Sequence, residues 1–187
     1  MPQTAPVLRL VREAGDRPEP PGPSEAPSLE QAFRLHARYV VAVATRLLGR
    51  DEEVDDLVQD VFLTAMRDLP QLRDPASLRS WLAAITARKA HDRLRRRRLR
   101  SFLSLDSAPN YEQIADESAS PEQRALLARV YTVLDKVPTN DRIAWTLRHI
   151  EGQQLEEVAG ICGCSLATAK RRISAAQERI ERAFADG

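Results

Sequence analysis

From Ser28 onward the apolar residues of this chain recur at intervals of three and four, between capping and turn residues that divide them into short stripes. That spacing places each stripe on one face of an α-helix, so the chain is expected to fold as packed helices. The most informative stripe runs from Asp51 to Leu69. Val54, Leu57, Val58, Val61, Ala65 and Leu69 share one side, and Asp51 is placed to cap the start. Glu52, Asp56, Gln59 and Asp60 gather on the other side, around Leu63. An apolar anchor ringed by carboxylates and an amide suits a basic protein surface. It does not suit phosphates, although the flanking chain looks built for DNA.

The preceding helix opens at Ser28-Leu-Glu-Gln31, a capping box, and carries Leu29, Phe33, Val40, Val43 and Leu47 to a stop at Gly49. His36 lies beside that stripe as an expected packing residue. After the acidic helix comes the loop Gln71 to Asp74, then Asp74-Pro75 as a cap with proline in the first turn. Leu78, Trp81, Leu82 and Ile85 form the third stripe. The same helix then turns basic, from Arg88 to Arg100, and is expected to leave an exposed extension. Arginines attract phosphates, and an exposed aromatic ring such as Trp81 can stack on an unpaired base. Asp92, inside the basic run, reads as an intrachain partner for a neighbouring arginine.

Ser101 to Ser120 is acidic and broken at Pro109-Asn110, which reads as a flexible, mostly unstructured linker. A second capping box, Ser120-Pro-Glu-Gln123, opens a helix with Leu126, Val130, Val133, Leu134 and Val137, closed by Pro138. Thr139 is expected to cap the next helix, which carries Ile143, Leu147 and Ile150, with Trp145 and His149 as packing residues. Gln153 to Cys162, a turn at Gly163-Cys164 and a long helix opened by Ser165 then form a helix-turn-helix. Leu166, Ala169, Ile173, Ala176 and Ile180 face inward on that last helix. Ala167, Arg171 and Ser174 face away, with Lys170 and Arg172 flanking, as on a recognition helix. The fold class is therefore all-α: two small helical bundles joined by the acidic linker.

Met1 to Pro27 holds five prolines between Pro18 and Pro27 and few large apolar groups after Val11, so it reads as a disordered tail with at most a weak helix around Val7 to Ala14. The 187 residues carry a net charge of +1, with acids and bases segregated into blocks rather than mixed. No run approaches the ~20 apolar residues of a membrane span and no signal peptide is visible, so the cytoplasm is the expected compartment. Cys162 and Cys164, one residue apart, make a poor disulfide and have no second pair to complete a zinc site. They are expected as reduced, small apolar residues. No metal, cofactor or catalytic constellation is expected, which argues against an enzyme.

Four segments together carry a resemblance: Asp55-Asp-Leu-Val-Gln-Asp-Val-Phe-Leu63, Ser80-Trp-Leu82, Asp92-Arg-Leu-Arg-Arg96 and Gly163-Cys-Ser-Leu-Ala-Thr-Ala-Lys170. From Ser28 to Phe184 the chain resembles an extracytoplasmic-function sigma factor of the sigma-70 family. The resemblance implies a sigma-2 domain at 28–100, a linker at 101–120 and a sigma-4 domain at 121–187. Asp55, Asp56, Gln59, Asp60 and Leu63 would dock on the beta-prime clamp helices of core RNA polymerase. Asp74, Ser77, Trp81, Arg88, Lys89, Arg93, Arg95 and Arg96 would read and melt the minus-ten promoter element. Ser165, Ala167, Thr168, Lys170, Arg171 and Ser174 would bind the minus-thirty-five element, with sigma-4 also meeting the beta flap. The linker would thread the polymerase cleft, and a cognate anti-sigma factor is a further partner the resemblance allows. Arg88, where many relatives carry asparagine, and Ala169, in place of the usual valine, depart from the family pattern, and the proline-rich tail lies outside it. A helix-turn-helix regulator that binds duplex DNA without polymerase is the competing class. It would leave the acidic helix and the Trp81 block unused.

Overall fold

The computed structural model describes residues 28–49, 53–102, 111 and 119–185. The N-terminal tail, the Asp51 cap and most of the expected linker lie outside them. Seven α-helices make up the described residues, with short turns of other helical type. The first bundle holds α1 (Leu29–Leu48), α2 (Val54–Asp68) and α3 (Leu78–Phe102). The second holds α4 (Pro121–Lys136), α5 (Thr139–Trp145), α6 (Leu155–Ile161) and α7 (Leu166–Ala185). Both expected capping boxes form. Ser28 and Gln31 exchange hydrogen bonds of 3.2 and 3.0 Å, and Ser120 and Gln123 exchange bonds of 3.3 and 2.7 Å. A third box, Gln154 with Glu157, opens α6.

Each helix turns its stripe inward because that removes the apolar groups from water at ~25 cal/mol per Å². Val40, Val43, Leu47, Leu57, Val61 and Leu82 are fully buried in the first bundle. Leu134, Leu147, Val158, Ala169 and Ala176 do the same in the second. Four expectations need correction. Phe33, assigned to the α1 stripe, is 51% exposed and packs edge-on against Phe62 of α2 at 4.8 Å. Thr139 does not cap α5; the cap position is Pro138, with no side-chain bond. The Asp92 carboxylate lies 3.4 Å from His91 Nδ1, while Arg96 Nε donates to the backbone carbonyl of Asp92. Finally, the basic end of α3 is not a free extension. Ala87, Ala90, Leu94 and Arg97 are buried, and this part of the helix packs against both α5 and α6.

The two bundles are therefore in contact. Arg46 of α1 pairs with Glu151 at 2.7 Å, and Gln153 donates to the Tyr39 hydroxyl at 3.2 Å. Tyr111, from the middle of the expected linker, is buried at the seam and stacks on Tyr131 with ring centroids 5.5 Å apart. Between α5 and α6 the chain makes a five-residue π turn, Thr146–Ile150, before a left-handed Gly152. No stripe analysis foresees that turn, since it changes the period rather than the apolar face.

His36 and His149 are partly buried, and burial, helped by Arg79 and Arg148 respectively, lowers both imidazoles below their usual value. The folded chain thus takes up protons less readily than the unfolded chain, whose histidines titrate near pH ~6.5. Their contribution to stability is full above that pH and is lost as pH falls through the lower folded values. Denaturant midpoints should drop between about pH 7 and 5.5. The double variant His36→Gln, His149→Phe should show a smaller drop over the same range.

Candidate functional surfaces

The acidic side of α2 faces solvent as its spacing demands. Asp55, Asp56 and Gln59 are exposed, and Leu63 stands 54% exposed beside them. Asp60 is different: its carboxylate accepts from Arg93 of α3 at 2.7 Å. Arg93, whose side chain is 15% exposed, is thereby drawn to α2 rather than left to a phosphate. One turn beyond Phe62, Met66 is 55% exposed. Phe33 and Met66 thus add exposed apolar area that a reading of Leu63 alone misses, while Phe62 is buried beneath them. The signal was present in sequence, because Phe62-Leu63 and Met66 make α2 apolar over more than one face.

On α3, helix geometry puts Trp81, Arg88, Asp92 and Arg95 along one line. Arg88, Arg95 and Arg96 are exposed, while Trp81 and Lys89 are half-buried. Trp81 is partly buried and packs against the core. Ahead of the helix, Asp74 caps the short turn Pro75–Ser77 by accepting from Ala76 N at 3.0 Å, and Ser77 Oγ donates to the Asp74 carbonyl at 2.7 Å. Asp74 and Ser77 are thus local determinants of how α3 begins. Further along, Arg97 is buried and Arg98 donates to the Val137 carbonyl at 3.2 Å.

In the second bundle Gly163 takes a left-handed turn at φ 59°, and nothing lies within 4 Å of where its side chain would be. Conformation alone, not space, favours glycine there. Ala159 packs in the core behind the turn. The Ser165 hydroxyl accepts from Thr168 N at 3.2 Å and lies 2.9 Å from the Thr168 hydroxyl, so both side chains secure the first turn of α7. Ala167, Lys170, Arg171 and Ser174 are exposed on the outer side. Ala169 is fully buried, so its side chain serves the packing of α7, not the outer face. Trp145 Nε1 donates to Gln177 at 2.7 Å and ties α5 to α7. Both cysteines are free thiols, and burial pushes Cys162 up to about 11, as expected of an inert packing residue.

An acidic and apolar face, a basic and aromatic helix and a helix-turn-helix therefore share one all-helical chain. The family description Sigma-70 region 2 matches residues 32–100, and Sigma-70, region 4 matches residues 127–180. The RNA polymerase sigma factor CnrH of Cupriavidus metallidurans is 34% identical over 163 residues, covering 81% of this chain and 85% of that protein. The ECF RNA polymerase sigma factor SigE of Mycolicibacterium smegmatis is 32% identical over 159 residues, covering 82% of this chain. The chain spans 60% of the length of that relative. Among solved structures, the sigma factor RpoE of Bartonella quintana, in complex with the anti-sigma factor NepR, has the same fold. Its TM-score is 0.65 at 24% identity, over 83% of this chain and 95% of that one.

The chain belongs to the extracytoplasmic-function sigma factors of the sigma-70 family. Members of this family are alternative sigma factors, which bind core RNA polymerase and promoter DNA to direct transcription initiation.

Proposed function

We propose that this chain divides promoter-specific initiation between its two bundles, with 28–100 serving as sigma-2 and 121–187 as sigma-4. The observation that carries the reading is the pairing of chemically opposite faces in one small bundle. Asp55, Asp56, Gln59 and Leu63 on α2 suit a basic, partly apolar protein helix pair, the polymerase clamp helices. Arg88, Arg95 and Arg96 on α3, with half-buried Trp81 on the same line, suit the minus-ten strand. The Asp60–Arg93 bond holds the two faces in fixed relation, so docking on polymerase also aims α3. In the second bundle α7 reads the minus-thirty-five element through Arg171 and its exposed neighbours, and the opposite end of the bundle meets the beta flap. The chain performs no chemistry itself and works in the cytoplasm. Among the described residues no helix is long and apolar enough to cross a membrane. An anti-sigma factor, such as the one bound to the Bartonella relative, would compete for these same faces.

Run-off transcription with purified core polymerase is the direct test. The chain is expected to start transcripts from a subset of genomic fragments that core alone does not use. No transcript from any fragment, with no inhibitor present, would refute the reading. Tight gel-shift of a duplex operator by the isolated chain would favour a regulator instead.

A further inference from the structure

Seven large apolar side chains stand exposed among the described residues, and three of them, Phe33, Leu63 and Met66, gather where the start of α1 meets α2. Phe33 packs on Phe62. Met66 lies one turn beyond Phe62, and Leu63, three residues before Met66, shares its outer side. Toward the start of α2 the same surface continues into exposed Gln59, Asp56 and Asp55. Unlike Asp60, neither Asp55 nor Asp56 is ion-paired among the described residues.

The stretch of chain before Ser28, outside the described residues, rejoins the fold at this place. Ser28 is five residues, or ~8 Å of helix, from Phe33. The large apolar residues of that stretch fall, Met1 apart, in Val7-Leu-Arg-Leu-Val-Arg12. At helical spacing Val7, Leu8, Leu10, Val11 and Ala14 share one side, while Arg9 and Arg12 lie together on the other. An apolar side rimmed by arginines is the complement of an apolar surface rimmed by aspartates. As a helix, residues 7–14 span ~12 Å, against ~16 Å along α2 from Asp55 to Met66. Between Ala14 and Ser28 stand five prolines and no large apolar residue. That proline-rich tether extends to ~43 Å, more than the surface requires.

We propose that residues 7–14 fold onto the Phe33, Leu63 and Met66 surface of their own chain and cap it until polymerase displaces them. Only the competition with polymerase rests on the proposed function; the docking does not need it. An amphipathic segment of weak local propensity gains its helix as the apolar side is covered. A short tether supplies an effective concentration on the order of 1 mM, so an intrinsic affinity of only ~0.2 mM leaves about five capped molecules for each open one. Capping to that extent lowers the apparent affinity for polymerase about sixfold.

Met66 is the reporter, since the chain holds only two methionines and the other is Met1. The full chain would carry methyl-13C methionine, Cys162→Ala, Cys164→Ala and a nitroxide on Glu13→Cys. The Met66 methyl signal should lose most of its intensity relative to the same chain with the nitroxide reduced. Adding Leu10→Asp and Val11→Asp should restore at least half of that loss. The same pair should lower the concentration that half-saturates core polymerase about sixfold. Equal Met66 intensity with and without the aspartates would overturn the docking. Equal broadening from a nitroxide on a second, isotopically unlabelled chain would place the segment on another copy and overturn the cap within one chain. Unchanged polymerase binding by the aspartate pair would overturn the competition. If no form of the chain bound polymerase, the functional reading would fail and the Met66 result would stand.

Discussion

Changing Asp56 to lysine and Leu63 to alanine together is expected to weaken binding to core polymerase by about 2–4 kcal/mol, or roughly 30- to 1,000-fold. Both side chains are exposed, so neither change removes packing within the bundle. One exposed charge pair contributes ~1 kcal/mol or less, but reversal replaces an attraction by a repulsion at the same place. Leu63, half of whose surface is open to water, adds roughly 1–2 kcal/mol when that surface is covered. The two parts separate in salt: screening should erase the effect of Asp56→Lys and spare that of Leu63→Ala. Asp60 is the wrong position for this test despite lying on the same face. Reversing it would strand Arg93, mostly buried beside it, and disturb the bundle as well as the interface. Glu117→Lys, in the acidic segment outside the described residues, carries the same charge change and should have little effect. Equilibrium titration of labelled core across a salt series reads all four proteins. Equal losses for Asp56→Lys and Glu117→Lys would mean that net charge, not a docking surface, governs binding.

Arg171→Ala should cost about 1–3 kcal/mol at the upstream promoter element and flatten the preference among its sequence variants. Arg171 stands exposed in the early turns of α7, the part of a recognition helix that reaches base edges. Lys170, turned ~100° from it by helix geometry, is better placed for phosphate. Lys170→Ala should therefore weaken all promoters about evenly and lower the salt slope by roughly one unit. Neither variant should alter core binding, since α2 lies in the other bundle. Holoenzyme competition over a promoter library distinguishes the two outcomes. An unchanged promoter ranking for Arg171→Ala would move base reading to Ser174. Ser165 and Thr168 are weaker candidates, because their hydroxyls already hold the first turn of α7.

Much of this molecule is written locally. The capping boxes at Ser28 and Ser120 depend on residues three apart, and Gly49 and Gly163 are stops that a single backbone conformation explains. The inward stripes of α2, and of α7 from Ala169 to Ile180, are equally local, being a matter of period, whereas Leu166 at the start of α7 is exposed rather than inward. The acidic face with Leu63 and the outer face of α7 follow from the same periodicity. Where one helix offers apolar groups on more than one side, period alone does not choose among them. Phe33 and Met66 stand exposed for that reason, and within the Arg88–Arg100 run Ala90, Leu94 and Arg97 are buried although the charge pattern favours solvent.

What the sequence by itself determined was the set of helices, their buried faces and the chemical character of each outer face, because these depend on neighbours within a few residues. Only the tertiary structure decided which charges remain available. Arg93 goes to Asp60, and Arg97 and Arg142 converge on the Leu48 carbonyl. Arg98 reaches the Val137 carbonyl, and Tyr111 leaves the linker for Tyr131. These partners are separated by 20 to 94 positions in the chain. No periodicity encodes such pairings; they arise when burial forces each polar group to find a partner among whatever the packing brings near.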